Sequence, residues 1–485
     1  MARMPYRHAY QLTTLLSILS LVLFLLLSSN ATAQARLLQQ VTQPPSASGS
    51  AAQAAKEAHP LEPGKSIERE IAGGESQSYR VKLAAGQFLR VVAEQKSVDV
   101  ALALAGPDGK QVVESNLTAL MGAREPLSFE AKAAGDYRLT VRANGQSAQR
   151  GSYRLLAEVK ASADVLDRKR MAAEQLLTET HAIIDRKDFP QGVEKGQQAL
   201  ALWRELGDRE GEGYALGATA VAYWGLSRFD KYAESYEQIL AISRELKYRA
   251  GEASALSELG YAYQSMGRHE KSLEYFEQAL AIYRELKDRP HEGVTLADIG
   301  WENQALRRFD KAIESCEQAL AIAREVKSRY DEGNAISGLG AAYGGLTQYE
   351  KAIEYHEQFL AIERELKDRY GEAGALNNLA GANRNLLRFE KAIEYFEQAL
   401  PVFRELKDRQ SEALVLRNLG DTYSQITRFD RAVEYYERAL PIYREIRDRQ
   451  GEALVLGPLA NVYTQLGEAW SFAATRAPRS AARAR

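Results

Sequence analysis

A period of 40 residues governs most of this chain. The stretch from Gly371 to Gln410 returns, displaced by whole multiples of that period, from Gly251 and from Ser411. Leu200, Leu240, Leu280, Leu320, Leu360, Leu400 and Leu440 fall at one phase, Arg209 through Arg449 at a second, and Glu212 through Glu452 at a third, with no insertion between them. A repeat this strict restricts the fold to a stack of like supersecondary units, each resting on its neighbours.

Inside one unit the apolar spacing is helical. Leu256, Leu259, Gly260 and Tyr263 recur at three and four along Gly251 to Met266, the pattern of an amphipathic helix whose small residue admits a close neighbour. A polar break at Gly267, Arg268 and His269 precedes a second helix, with Leu273, Phe276, Ala279, Leu280 and Ile282 on one face and Glu274, Glu277 and Arg284 on the other. Lys287-Asp288-Arg289 then lets the chain reverse. Such a hairpin cannot bury both apolar faces alone, so successive hairpins must stack.

The pattern resembles the tetratricopeptide repeat, whose small and large positions are matched by Leu259-Gly260, Tyr263, Phe309, Ala312, Phe396, Ala399 and Leu400. The common unit of that family has about 34 residues; here the second helix is longer, through the REL-KDR-x-GE segment, as in the longer variety found in spindle-orientation adaptors. The resemblance runs from Met171 to about Glu468. It implies an all-α superhelical solenoid that holds a peptide or protein in a concave groove lined by the first helix of each unit.

The rest of the chain divides by composition. Arg3 and Arg7 precede an apolar run from Leu15 to Leu27, and Ala31-Thr32-Ala33 supplies small residues, so residues 1–35 read as a cleaved signal peptide and the protein as exported, periplasmic or extracellular in a bacterium. That run is shorter than the roughly 20 apolar residues of a spanning helix, and no stable membrane span is expected after cleavage. Residues 36–65, with Pro44-Pro45 and many Ser, Ala and Gln, read as a disordered linker. Over 66–160 the period changes to two, in Tyr79–Leu83, Phe88–Val92, Val98–Leu102, Leu127–Ala131, Tyr137–Arg142 and Tyr153–Val159. Roughly eight short strands predict a small all-β sandwich. Gln77–Val81 and Ala134–Val141 resemble the pre-peptidase C-terminal type of domain, which implies an accessory or binding module. Residues 161–210 keep part of the repeat register, with Gly192 and Gly196 in place of larger residues, and read as a capping unit. Residues 211–468 hold six full repeats and one partial one, and 469–485 form a divergent basic tail with Pro478 where a second helix should run. The expectation is that a frame change or truncation interrupts the array there, and that its uncapped end frays or self-associates.

The chemistry of the side chains narrows function. With 63 basic against 65 acidic residues, nothing attracts nucleic acid by charge. The single cysteine, Cys316, permits no intramolecular disulfide. His8, His59, His181, His269, His291 and His356 form no pair with zinc-ligand spacing, and no phosphate-cradling loop is present, so no metal, cofactor or catalytic group is expected. Cys316 and His356 are one period apart, at the position filled elsewhere by Tyr236, Phe276, Phe396 and Tyr436, and read as core substitutions for an aromatic rather than as a nucleophile and its base. The Arg209-x-x-Glu212 spacing and its repeats read as a helix-start ion pair that sets the turn between units.

By the resemblance, the groove positions are Tyr214, Val221 and Trp224, then Tyr261 and Gln264, then Trp301 and Gln304. The fourth unit offers only Asn334, Ser337, Ala341, Gly344 and Gly345. Asn377, Asn378, Arg384 and Asn385 follow, then Arg417, Asn418, Asp421 and Gln425. The groove therefore reads as aromatic at one end and rich in amides and arginine at the other, a chemistry suited to a peptide, an acidic one included. The expected function is an exported, non-catalytic scaffold. An alternative is the regulatory part of a larger caspase-like protein of the CHAT type, whose N-terminal order this chain resembles.

Overall fold

A computed structural model of the chain describes residues 58–96, 98–117, 124–144 and 150–476. The signal-peptide segment, the linker up to residue 57 and the tail beyond residue 476 lie outside the described residues. The chain forms two compact units, one running to Asp288 and one starting at Arg289.

The first unit opens with nine strands among the described residues: β1 (His59–Pro60), β2 (Ile67–Ala72), β3 (Ser76–Leu83), β4 (Phe88–Gln95), β5 (Val100–Ala105), β6 (Gln111–Ser115), β7 (Arg124–Glu130), β8 (Gly135–Ala143) and β9 (Arg150–Lys160). They make a five-stranded sheet in the order β1-β3-β8-β5-β6 and a four-stranded one in the order β2-β9-β4-β7. The alternation that marked the strands places Val81, Leu83, Leu89, Val91, Leu102, Leu139 and Leu155 in one shared core. Tyr79 of one sheet and Tyr153 of the other join their hydroxyls at 2.6 Å. Residues 58–65, which their composition assigned to the linker, already belong to this sheet: β1 pairs in parallel with β3, and Leu61 inserts into the core at 4% exposure.

Helices follow in hairpins: α1 (Val165–Asp185) with α2 (Phe189–Leu206), α3 (Arg209–Gly225) with α4 (Phe229–Glu245), and α5 (Arg249–Ser265) with α6 (His269–Leu286). The second unit continues with α7 (Arg289–Ala305) and α8 (Phe309–Glu325), α9 (Arg329–Gly345) and α10 (Tyr349–Leu366), α11 (Arg369–Asn385) and α12 (Phe389–Glu405), α13 (Arg409–Gln425) and α14 (Phe429–Glu445), then α15 (Arg449–Arg476). The architecture is a small β-sandwich followed by an all-α repeat solenoid. None of the described helices is long and apolar enough to cross a membrane.

The Lys-Asp-Arg segment at 287–289, 367–369 and 407–409, varied in the other repeats, joins one hairpin to the next by a specific division of labour. Lys287, Lys367 and Lys407 take left-handed backbone angles, with φ of 58°, 58° and 57°. This stops the outgoing helix. The aspartate that follows caps the next one: Asp368 accepts from Gly371 N at 3.0 Å and Asp408 from Ser411 N at 3.0 Å. The arginine opens that helix and grips the glutamate three residues on, as Arg409 does Glu412 at 2.6 Å. Arg404, from the preceding helix, holds the same Glu412 at 2.8 Å. The same clamp joins Arg244 and Arg249 to Glu252. The clamp recurs along both units.

Close packing within a hairpin depends on a glycine of the first helix. A Cβ at Gly260 would stand 2.6 Å from the Phe276 ring, and one at Gly420 2.6 Å from that of Tyr436. The final helix departs from the pattern, because α15 runs on past Gly467 to Arg476. No left-handed residue interrupts it there, and the alanines after Glu468 favour helix.

Candidate functional site

In the second unit, the first helices of two successive hairpins present the polar positions singled out by the repeat phase. Asn377, Asn378 and Arg384 project from α11, and Arg417 and Asn418 from α13, all between 2% and 8% exposed. Asn385, one residue beyond Arg384, is exposed. Asn383 closes its own hydrogen bond by donating to Leu379 O at 2.9 Å. Its neighbours do not: Asn377 Oδ1, Asn378 Oδ1, Arg384 Nη1 and Arg417 Nε are buried with no hydrogen-bond partner. Each such group costs on the order of 1–3 kcal/mol in a folded protein when nothing pairs it.

The charges here are close but not fully paired. Arg384 Nη1 lies 3.8 Å from Asp421 Oδ2, too far for a hydrogen bond. Asp421 Oδ1 accepts from the Tyr436 hydroxyl at 2.6 Å. Burial lowers the Arg384 pKa, with the Asp421 charge acting against it and the Arg417 charge adding to it. Arg384 thus stands near one carboxylate, that of Asp421, and feels a second guanidinium, that of Arg417.

Alongside it, Gly340, Ala341 and Gly344 of α9, Tyr349, Ala352 and His356 of α10, and Asn378, Ala382 and Asn385 of α11 line a small open depression. His356 is 4% exposed, and burial pulls its pKa down to about 4, so the imidazole is neutral at physiological pH. Cys316 is fully buried and its thiol is pushed up to about 12 by burial. A thiol held in that form is a poor nucleophile, in keeping with a packing role. Among the described residues no group of three or more His, Cys, Asp or Glu could hold a metal ion.

The aromatic end of the expected groove is built differently. Tyr214 is buried under the β-sandwich, its hydroxyl donating to Arg124 O at 2.6 Å. Trp224 is buried too, its ring 5.1 Å from Phe229 and 4.8 Å from Tyr232 in its own hairpin. Neither is an open anchor, because tertiary neighbours that the repeat phase does not reveal cover both. Tyr261 is half-buried, edge-on to Phe276 at 5.1 Å, and Trp301 in the other unit is also half-buried. The repeat phase marks Tyr436 and His356 only as core positions, whereas Tyr436 completes the Arg384–Asp421 group and His356 lines the depression. Its replacement of an aromatic was the available signal.

Stacked helical hairpins with this small-and-large pattern define a class of repeat scaffold. Residues 251–315, 303–365 and 371–445 match the family model described as tetratricopeptide repeat, and this part of the chain consists of such repeats. No curated protein matches the chain. Among solved structures, the apo form of the quorum sensor NprR from B. thuringiensis is similar at a TM-score of 0.50 and 15% identity, over 62% of this chain and 84% of that one. The apo form of RapI gives 0.49 at 15% identity, over 57% and 99%. A Rap protein complexed with Competence and Sporulation Factor gives 0.45 at 16% identity, over 61% and 87%. The likeness to NprR is one of fold.

Proposed function

We propose that this protein is a non-catalytic scaffold that binds an extended peptide, or a peptide-like segment of a partner, across the first helices α9, α11 and α13. The observation that carries the reading is the run of buried polar atoms without partners at Asn377, Asn378, Arg384 and Arg417. Side-chain amides pair with both the N–H and the C=O of a peptide backbone. The positive balance of Arg384 and Arg417 against Asp421 suits a carboxylate of the ligand, from an acidic side chain or a chain end. The signal-like run from Leu15 to Leu27 supports export, so the partner is sought in the cell envelope or outside the cell. The β-sandwich then serves as an accessory module.

Charge reversal at the arginines is a poor test, since a glutamate at position 384 would be buried beside Asp421 and cost stability. Replacing Asn377 and Asn378 together by alanine removes the backbone-pairing groups and relieves two unpaired acceptors. Peptides chosen by display on the wild-type protein should bind this variant on the order of tenfold or more weaker by calorimetry. The melting temperature should be unchanged or higher. Equal affinity would remove these residues from the site.

A further inference from the structure

In the first unit a carboxylate of α5 stands among aromatic rings without a counter-charge. Glu258 is half-buried, and its Oε2 accepts from the Tyr232 hydroxyl. Among the described residues no lysine or arginine pairs with it, and burial raises its pKa to about 7 with only the Tyr232 bond acting against. Tyr232 of α4 is itself fully buried, its ring 4.8 Å from Trp224 and 4.7 Å from Tyr236. Tyr261 follows Glu258 by three residues, so ring and carboxylate share one face of α5. Both are half-exposed there, and the Tyr261 ring is held edge-on to Phe276 at 5.1 Å. Of the siblings Ala218, Asp298, Gly338, Asn378, Asn418 and Pro458, only Asp298 repeats the charge, so the packing of the repeat does not demand a carboxylate here.

This chemistry restricts the ligand. A carboxylate that has lost part of its water gains most from a cation that replaces it. Tyr232 occupies one oxygen and leaves the other for a second donor. A divalent metal takes six or more oxygens or several nitrogen and sulfur ligands, which one carboxylate does not supply. An anion would be repelled, and an apolar group would bury the charge further. A guanidinium group satisfies both neighbours at once, because its N–H groups donate to carboxylates and its weakly hydrated plane lies well on an aromatic ring. We propose that Glu258 and Tyr261 form a binding site for an arginine side chain of a partner protein, whose guanidinium donates to the free carboxylate oxygen and lies against the tyrosine ring. The site belongs to the first unit and stands apart from the peptide reading of α9, α11 and α13.

N-acetylarginine amide and N-acetylcitrulline amide test it on the complete chain, because the two have nearly the same shape and differ in charge. Titrations followed by NMR at low salt should show the arginine compound binding roughly tenfold tighter. Glu258→Gln keeps an acceptor for the Tyr232 hydroxyl and removes the charge. This variant should melt at the same temperature or higher, yet bring the ratio close to one. Tyr261→Leu keeps apolar bulk and should lower the affinity for the arginine compound roughly threefold. Glu270→Gln, at an exposed carboxylate near the start of α6, should leave the preference intact. Equal affinities for the two compounds, no binding of either, or a preference that survives Glu258→Gln would overturn the site. A preference that falls equally in Glu258→Gln and Glu270→Gln would mean that overall charge alone attracts the cation, and the site fails.

Discussion

Raising the pH from about 6 to about 9 should loosen the β-sandwich from the helices it rests on before it disturbs either core. Two buried carboxyls lie here, Glu174 bonded across the junction and Glu125 within the sandwich. Glu125 is fully buried, accepts from the Ser115 hydroxyl and from Leu117 N at 2.9 Å, and is pushed by burial up to about 8. Glu174 of α1 accepts from Ser128 N at 2.8 Å and Ser128 Oγ at 3.0 Å, and burial raises it to about 7, against the pull of Arg90 and Arg170. In the unfolded chain both return to about 4.3. The folded state therefore retains protons that the unfolded state has released, and the stability that goes with them is complete below the unfolded pKa. It is lost as the pH rises through about 7 and about 8. At about 1.4 kcal/mol per pKa unit the loss is on the order of several kcal/mol for the two together.

Thermal melts across this range should fall in temperature. Hydrogen exchange should quicken first in β7 and α1. Glu125→Gln with Glu174→Gln keeps an acceptor at each place without a titrating proton and should flatten most of the slope. Glu258, half-buried against Tyr232, and Glu363 are also raised to about 7 and account for slope that survives. A wild-type profile that is level between about pH 6 and about pH 9, or a slope untouched by the two glutamines, would contradict this account.

Replacing Phe396 by alanine should destabilise the second unit by about 3–5 kcal/mol, the usual cost of removing a large aromatic side chain from a closed core. Phe396 has no exposed surface and belongs to the cluster of Leu376, Leu379, Ala392, Leu400, Leu416 and Tyr436. The same repeat position supplies its own controls. Cys316→Ala removes one atom beside Gly300 and Gly338 and should cost about 1 kcal/mol. His356→Phe restores the aromatic of the sibling repeats, fills part of the depression and should be neutral or stabilising. Chemical denaturation that ranks the three losses in this order would show that one repeat position carries aromatic packing in some units and something else in the fourth. A loss for His356→Phe as large as that for Phe396→Ala would mean that the imidazole is itself a structural keystone.

The repeat phase made much of this legible from residues alone. Helix limits near Gly251, Met266 and Lys287 were readable because Gly, Lys and Asp recur at turn positions whose backbone angles they suit. Six of the strands were readable from alternation; the three that were not, β1, β2 and β6, are all sheet edges. An edge strand has one neighbour and less of an apolar face to bury, so β2 reads IEREIA and hides among polar residues. The site was legible as a set of positions, not as an environment. Period alone places Tyr214 beside Tyr261-like positions, yet a sandwich more than fifty residues upstream in the chain closes over it through Arg124. Likewise Arg384 and Arg417 read as open groove charges, whereas Asp421 and Tyr436 from the next hairpin enclose Arg384. Burial of that kind depends on contacts between units, which a single unit's sequence does not state.

The central claim, that α9, α11 and α13 hold an extended peptide, is tested most directly by hydrogen exchange on the complete chain with a peptide selected against it by display. The account predicts slowed exchange confined to those three helices and the start of α10, with the same peptide giving no such footprint on Asn377→Ala/Asn378→Ala. A footprint on the β-sandwich or on α15, or protection that the double variant leaves intact, would contradict it.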